Sequence, residues 1–101
     1  MYKLIALYPP PQDPEHFRRY YEAVHIPLAA TMPGLLSQRY ALEPRDLTGP
    51  SPFFCVAELE FADQAAFEAA VASEIGRKTA ADLANFATGG VQLIHYAPRS
   101  G

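Results

Sequence analysis

The sequence predicts an α+β fold with the βαββαβ order of the ferredoxin-like, split βαβ topology. Three observations carry this. Four apolar or aromatic runs have strand length, amphipathic segments of helical period follow the first and third of them, and Pro/Gly clusters punctuate the junctions. At 101 residues, 50% of them hydrophobic, the chain is one domain that can bury a core without disulfides or a structural metal. Six tyrosines, six phenylalanines and no tryptophan make that core a Phe/Tyr one.

Tyr2 to Tyr8 is apolar on both alternating faces apart from Lys3, the pattern of a central strand covered on both sides. Pro9-Pro10-Pro11 ends it. Asp13 then supplies an N-cap, Pro14 the first helical position and Glu15 an acid in the first turn, so a helix starts there and runs to about Ala30. Phe17, Tyr21, Val24 and Leu28 follow the i, i+4, i+7, i+11 rule and predict its buried stripe. His25 falls roughly 70° from the centre of that stripe, a boundary position beside Tyr21. Pro27 lacks an N–H and crowds the carbonyl of Ala23, which predicts a kinked last turn with a backbone acceptor freed near His25. Pro33-Gly34 stops the helix.

A second strand spans about Leu35 to Leu42, and the Pro-rich stretch Glu43 to Pro52 reads as a surface loop. The third strand, Phe53 to Phe61, puts Phe53, Cys55, Ala57, Leu59 and Phe61 on one face. Its other face changes from Phe54 and Val56 to Glu58 and Glu60. Asp63 caps a second helix, Gln64 to about Ser73, with Phe67, Ala70 and Val71 inward, and Gly76 is expected to break it. A further turn or two from Thr79 to Phe86 places Leu83 and Phe86 on one side. Gly89-Gly90 then leads into a last strand, Val91 to Tyr96.

That topology lays both helices on one face of a four-stranded antiparallel sheet. With strands apolar on both sides, the bare face is an association site on the order of several hundred Å2. A homodimer packed sheet on sheet is the simplest way to cover it.

The formal net charge is −3 and the basic residues are scattered, so the basic stripe of a nucleic-acid binder is missing. The aromatic-basic strand motif of an RNA-recognition module is missing as well. Cys55, inside an apolar run, reads as a small buried hydrophobe. No CxxC, no h-region and no apolar run near the roughly 18 residues of a membrane span are present, so a soluble, cytoplasmic protein without a membrane partner is expected.

His25 is the leading candidate for chemistry, because a neutral imidazole both donates and accepts and changes charge near working pH. The competing role is a bond to the backbone carbonyl freed by Pro27, holding the kink. Asp82 is a second catalytic candidate, and Asn85, one helical turn on, could share its cavity. Tyr20 and Tyr21 point about 100° apart, so only one of them can line a pocket, and Tyr21 is on the His25 side. Phe67 and Phe86 read as pocket walls or core. His16, His25 and His95 form no close-spaced ligand pair, so no metal site is expected. Gly89-Gly90 precedes a strand rather than a helix, and no serine lies in a nucleophile elbow. No cofactor is therefore expected, although the sequence leaves open whether His25 has room beside it for a haem.

The motif F-R-x-Y-Y-x-x-x-H-x-P-L, followed by P-G-L, resembles the EthD family, a branch of the dimeric α+β barrel superfamily. It is carried by Phe17, Arg18, Tyr20, Tyr21, His25, Pro27 and Leu28, then Pro33, Gly34 and Leu35. A second block is A-E-L-x-F, Ala57 to Phe61, with Asp63 and Phe67 after it, and a third is D-x-x-x-F, Asp82 to Phe86. The resemblance implies a dimeric α+β barrel and places His25 within the family motif. Relatives in the superfamily include cofactor-independent oxygenases of aromatic polyketides, a lactone isomerase and haem-degrading or peroxidase-like enzymes, which is analogy of fold.

Two functions are compatible with this. One is an enzyme transforming a small hydrophobic or aromatic metabolite by isomerase- or oxygenase-like acid/base chemistry in a pocket between sheet and helices. There His25 moves the proton, Asp82 or Tyr21 assists, and Tyr21, Phe67, Asn85 and Phe86 hold the ligand. The other is a non-catalytic carrier for an apolar metabolite of a degradation pathway, in which His25 only orients it.

Overall fold

The computed structural model describes residues Met1–Gly101. Strands β1 (Tyr2–Tyr8) and β3 (Cys55–Phe61) form the centre of a four-stranded antiparallel sheet. The edge strands are β2 (Ser37–Leu42) and β4 (Gln92–Tyr96), giving the order β2-β3-β1-β4. This is the ferredoxin-like topology expected from the element order. The first crossover consists of α1 (Pro14–Tyr20), a π-helical turn (Tyr21–His25) and α2 (Ile26–Ala29). The second consists of α3 (Gln64–Ala72), α4 (Glu74–Asp82) and a closing 3-10 turn (Leu83–Asn85).

Strand register decides what faces the helices. Leu4 pairs with Leu59 and His95, and Ala6 with Ala57 and Leu93, so these residues share one side of the sheet with Tyr2, Tyr8, Cys55 and Phe61. Onto that side pack Phe17, Tyr21, Phe67 and Phe86. Phe17 sits edge-on to Tyr8 at 5.3 Å and to Phe86 at 5.0 Å between ring centroids, the geometry that aromatic quadrupoles favour.

The opposite face is less uniformly apolar than the strand pattern suggested. Ile5, Leu7, Ile94 and Tyr96 make its β1–β4 half apolar, whereas Arg39, Glu58 and Glu60 charge the β2–β3 half. Lys3 donates to Glu58 at 3.0 Å across the boundary.

The helix starts are where their caps placed them. Asp13 accepts from His16 N–H at 3.1 Å, and Asp63 from Ala66 N–H at 2.8 Å. Gly76, expected to break the second helix, instead lies inside α4. The break is at Ser73, extended at ψ 165°, whose Oγ donates to Ala70 O at 2.6 Å and accepts from Gly76 N–H at 3.0 Å. Glycine is needed at position 76 for a different reason: a Cβ there would lie 2.1 Å from Ala70 O, because the end of α3 runs against the start of α4.

Three residues depart from the expected burial. One is Val71, placed inward on the second helix but 39% exposed. Phe54 precedes the regular pleat of β3, so strand alternation does not govern it; it is buried against Phe17, with the Arg18 guanidinium 5.2 Å above its ring. Val24, placed in the stripe of the first helix, is 42% exposed, while His25 is only 5% exposed. The distortion expected at Pro27 explains this. It takes the form of a π-turn in which Ile26 N–H bonds Tyr21 O, five residues back. The extra residue shifts the helical phase by about 100°, and the buried stripe becomes Phe17, Tyr21, His25 and Ala29.

Candidate functional site

Between the helices and the sheet lies a cavity of about 230 Å3. Its floor is β1 and β3 (Leu4, Ala6, Ala57, Leu59), and its roof is the π-turn, α2, α3 and α4. Most of the lining is apolar. Tyr8, Tyr21 and His25 close one end, while Phe67 and His95 stand at the other.

The phase shift of the π-turn brings His25 onto this wall. Its ring stacks on Tyr21 at 5.6 Å and packs against Phe86 at 4.6 Å. Nδ1 meets Asp82 Oδ2 at 2.9 Å, so the bond of this histidine goes to a carboxylate rather than to a backbone carbonyl freed by Pro27. Asp82, at the end of α4, is tied down on its other oxygen. Tyr20 O–H donates to Oδ1, Asn85 Nδ2 donates to the same atom at 2.9 Å, and Asn85 also reaches the Tyr20 hydroxyl at 3.2 Å.

Burial disfavours the charge on Asp82, but the hydrogen bonds from Tyr20, Asn85 and His25 outweigh it and hold the carboxyl below its ordinary value. Burial lowers the His25 pKa below 6.5, against the opposing pull of Asp82. A neutral imidazole beside an anionic carboxylate must donate from Nδ1, since the carboxylate only accepts. Nε2 is left as a lone-pair acceptor with no protein partner, on a ring that borders the cavity. A deprotonated nitrogen backed by a fixed carboxylate is the equipment of a general base.

The other titratable groups nearby are unsuited to that role. Burial, with Cys55 and Tyr8 beside it, pushes the Tyr21 phenol well above its ordinary 10.0. Burial also moves the Cys55 thiol up to about 11. Both stay protonated at neutral pH.

Of the predicted site residues, His25, Tyr21 and Phe67 border the cavity. Asp82, Asn85 and Phe86 do not; they stand behind His25, the first two as its hydrogen-bonded support and Phe86 as its packing partner. Tyr20 and Tyr21 divide as the helical geometry required, Tyr21 to the cavity and Tyr20 to Asp82. Sequence reasoning missed His95, Tyr8 and Gln38 in the lining. Strand parity was the available signal, but both faces of β1 are apolar, and the inward face of β4 could not be chosen without the register. No helix is long and apolar enough to cross a membrane.

Residues 9–90 match the EthD domain. The chain belongs to the EthD family. It is 38% identical over 96 residues to an uncharacterized 11.0 kDa protein of Rhodococcus erythropolis from the thcB–thcC intergenic region, covering 93% of this chain and 91% of that one. Its fold matches the crystal structure of an EthD family protein from Bacillus halodurans with a TM-score of 0.91, at 28% identity, over 98% of this chain and 99% of the other. Likeness of fold extends to SnoaB of Streptomyces nogalater, a cofactor-independent oxygenase, with a TM-score of 0.70 at 16% identity over 99% and 94% of the two chains. It extends also to a dimeric ferredoxin-like protein of Thermobifida fusca, with a TM-score of 0.71 at 17% identity over 96% and 90%. The matched residues include the whole π-turn and Pro27.

Proposed function

We propose that this EthD protein binds a small hydrophobic or aromatic metabolite in the cavity and transforms it by proton transfer, with His25 as the base and Asp82 as its positioning partner. The observation that carries this is the His25–Asp82 pair: a buried, anionic, triply hydrogen-bonded carboxylate fixing an imidazole whose free nitrogen belongs to an apolar wall. Nε2 takes a proton from an acidic C–H or O–H of the ligand, and the electron pair moves onto an adjacent carbonyl or ring oxygen. The imidazolium formed is stabilised by Asp82. Returning the proton to a different carbon completes an isomerisation. Attack of the carbanion on dioxygen would instead begin an oxygenation, the class of reaction to which the fold relative SnoaB belongs.

The protein would work as a homodimer joined through the open sheet face, where Ile94 and Tyr96 are exposed beside half-buried Leu7. The dimeric Thermobifida relative supports that assembly.

A carrier would bind the ligand and leave it unchanged. Solvent deuterium exchange into 2-tetralone, a bicyclic carbon acid, followed by NMR, separates the two. The wild type should accelerate exchange, and His25→Gln should lower the rate on the order of 10²- to 10⁴-fold, the usual worth of a general base. Saturable binding of 2-tetralone without accelerated exchange would establish the carrier.

A further inference from the structure

We infer that the cavity is polar at both ends, an acceptor at His25 and a donor at His95, and that it takes a flat apolar molecule of about two fused rings with a proton donor at one end and a carbonyl at the other. This rests on the cavity being the ligand site with His25 at its inner end. His95 belongs to that cavity because β4 pairs it with Leu4 on the helix side of the sheet. Two contacts fix its ring. It stacks on Phe67 at 4.7 Å with 27° between the planes, and Nδ1 lies 2.7 Å from the Tyr2 hydroxyl.

A phenol is a strong donor and a weak acceptor, whereas an unprotonated ring nitrogen of imidazole is a strong acceptor. The proton of the Tyr2–His95 bond therefore belongs to the tyrosine, and His95 carries its own on Nε2. At His25 the order is reversed, because the carboxylate of Asp82 can only accept and holds the ring proton on Nδ1. Two imidazoles in one cavity thus present opposite hydrogen-bonding sense, each set by the partner of its other nitrogen. Neither Nε2 has a protein partner.

The dimensions select the ligand. Leu4, opposite His95, and Tyr8, beside Tyr21, are four residues apart on β1, about 13 Å at 3.3 Å per residue. The volume of about 230 Å3 exceeds the roughly 150 Å3 of a cavity known to hold benzene. One ring would leave an end unfilled, and two fused rings bring substituents toward both. His95 is on the exposed edge strand while His25 is buried, so the ligand enters with its proton-donating end first.

Calorimetric titration of the full chain with 2-naphthol and with 6-acetyl-2-naphthol tests this. The wild type should bind the acetyl compound about tenfold more tightly, the worth of one added hydrogen bond. His95→Phe keeps a ring against Phe67 and removes the donor; it should erase that preference by weakening the acetyl compound far more than 2-naphthol. Tyr2→Phe, which leaves His95 in place but frees its tautomer, should erase part of it. The inference is overturned if the wild type shows no preference (failure to bind either compound included), if the preference survives His95→Phe, or if that change weakens both ligands equally. Failure of the catalytic reading looks different: preference without deuterium exchange leaves this inference standing, and exchange without preference leaves only the other.

Discussion

Asp82 is held by three donors on two oxygens, and the proposed chemistry rests on that arrangement more than on the histidine alone. Asp82→Asn keeps the shape but can present an amide N–H to Nδ1, which then has to accept and moves the ring proton to Nε2. Loss of one charge-assisted hydrogen bond, about 1.5–3 kcal/mol, corresponds to roughly a ten- to hundredfold fall in exchange rate. Without the carboxylate the imidazole also loses basicity. The acid limb of the pH–rate profile should therefore move to lower pH in the variant, and an unmoved limb would make Asp82 merely structural.

In the wild type the same limb should lie below pH 6.5, because burial lowers the His25 pKa from 6.5. Stability follows with a definite sign. Between the lowered folded value and 6.5 the unfolded chain binds more protons, so stability rises with pH and is lost as pH falls below 6.5. Asp82 acts in the same sense further down. Its carboxyl is held below 3.8, and the stability it contributes above that value is lost as pH falls through the folded pKa. Denaturant melts across this range should show stability falling steadily toward acid, and a rise between pH 6.5 and 5 would contradict the assignment.

At the scale of the element, the π-turn was legible as a disturbance and illegible in form. Pro27 announces a missing N–H, yet whether the chain kinks or accepts an extra residue depends on what the next stretch packs against. Here Ala29 and Met32 find the interior only after the phase shift, and Val24 loses its place. The helix caps at Asp13 and Asp63 were readable because a short side chain bonding its own turn is local chemistry. The Gly76 contact was not, since the approach of α4 to Ala70 O is tertiary. Gly76→Ala would force backbone apart at a position that also lines the cavity. It should cost about 1–3 kcal/mol, as overpacking does, and lower Tm by roughly 4–8 °C for each kcal/mol. An unchanged Tm by calorimetry would show that the α3–α4 junction yields freely.

For the whole molecule, four strands and two crossovers in βαββαβ order left one topology to expect, and the order β2-β3-β1-β4 is that one. His25 was legible as a site candidate, whereas its pairing with Asp82 joins residues 57 positions apart and appears only once both crossovers lie on the sheet. The open face was legible as a face to be covered, less so its division into an apolar and a charged half. A dimer through it should bury on the order of 1,500 Å2 or more. Ile94→Glu, placing a charge on the apolar half, should shift sedimentation from dimer toward monomer, and a monomeric wild type would refute the assembly.

The proposed chemistry turns on one imidazole at the inner end of the cavity, with its proton on Nδ1 and its lone pair toward the ligand. Nitrogen-15 NMR of the histidine side chains reports both directly, before and after addition of 2-naphthol. The expected result is a His25 ring protonated at Nδ1, titrating below 6.5, whose Nε2 resonance alone moves strongly as the naphthol hydroxyl donates to it. A His25 ring protonated at Nε2, or one that ignores the ligand while the naphthol binds, would contradict it.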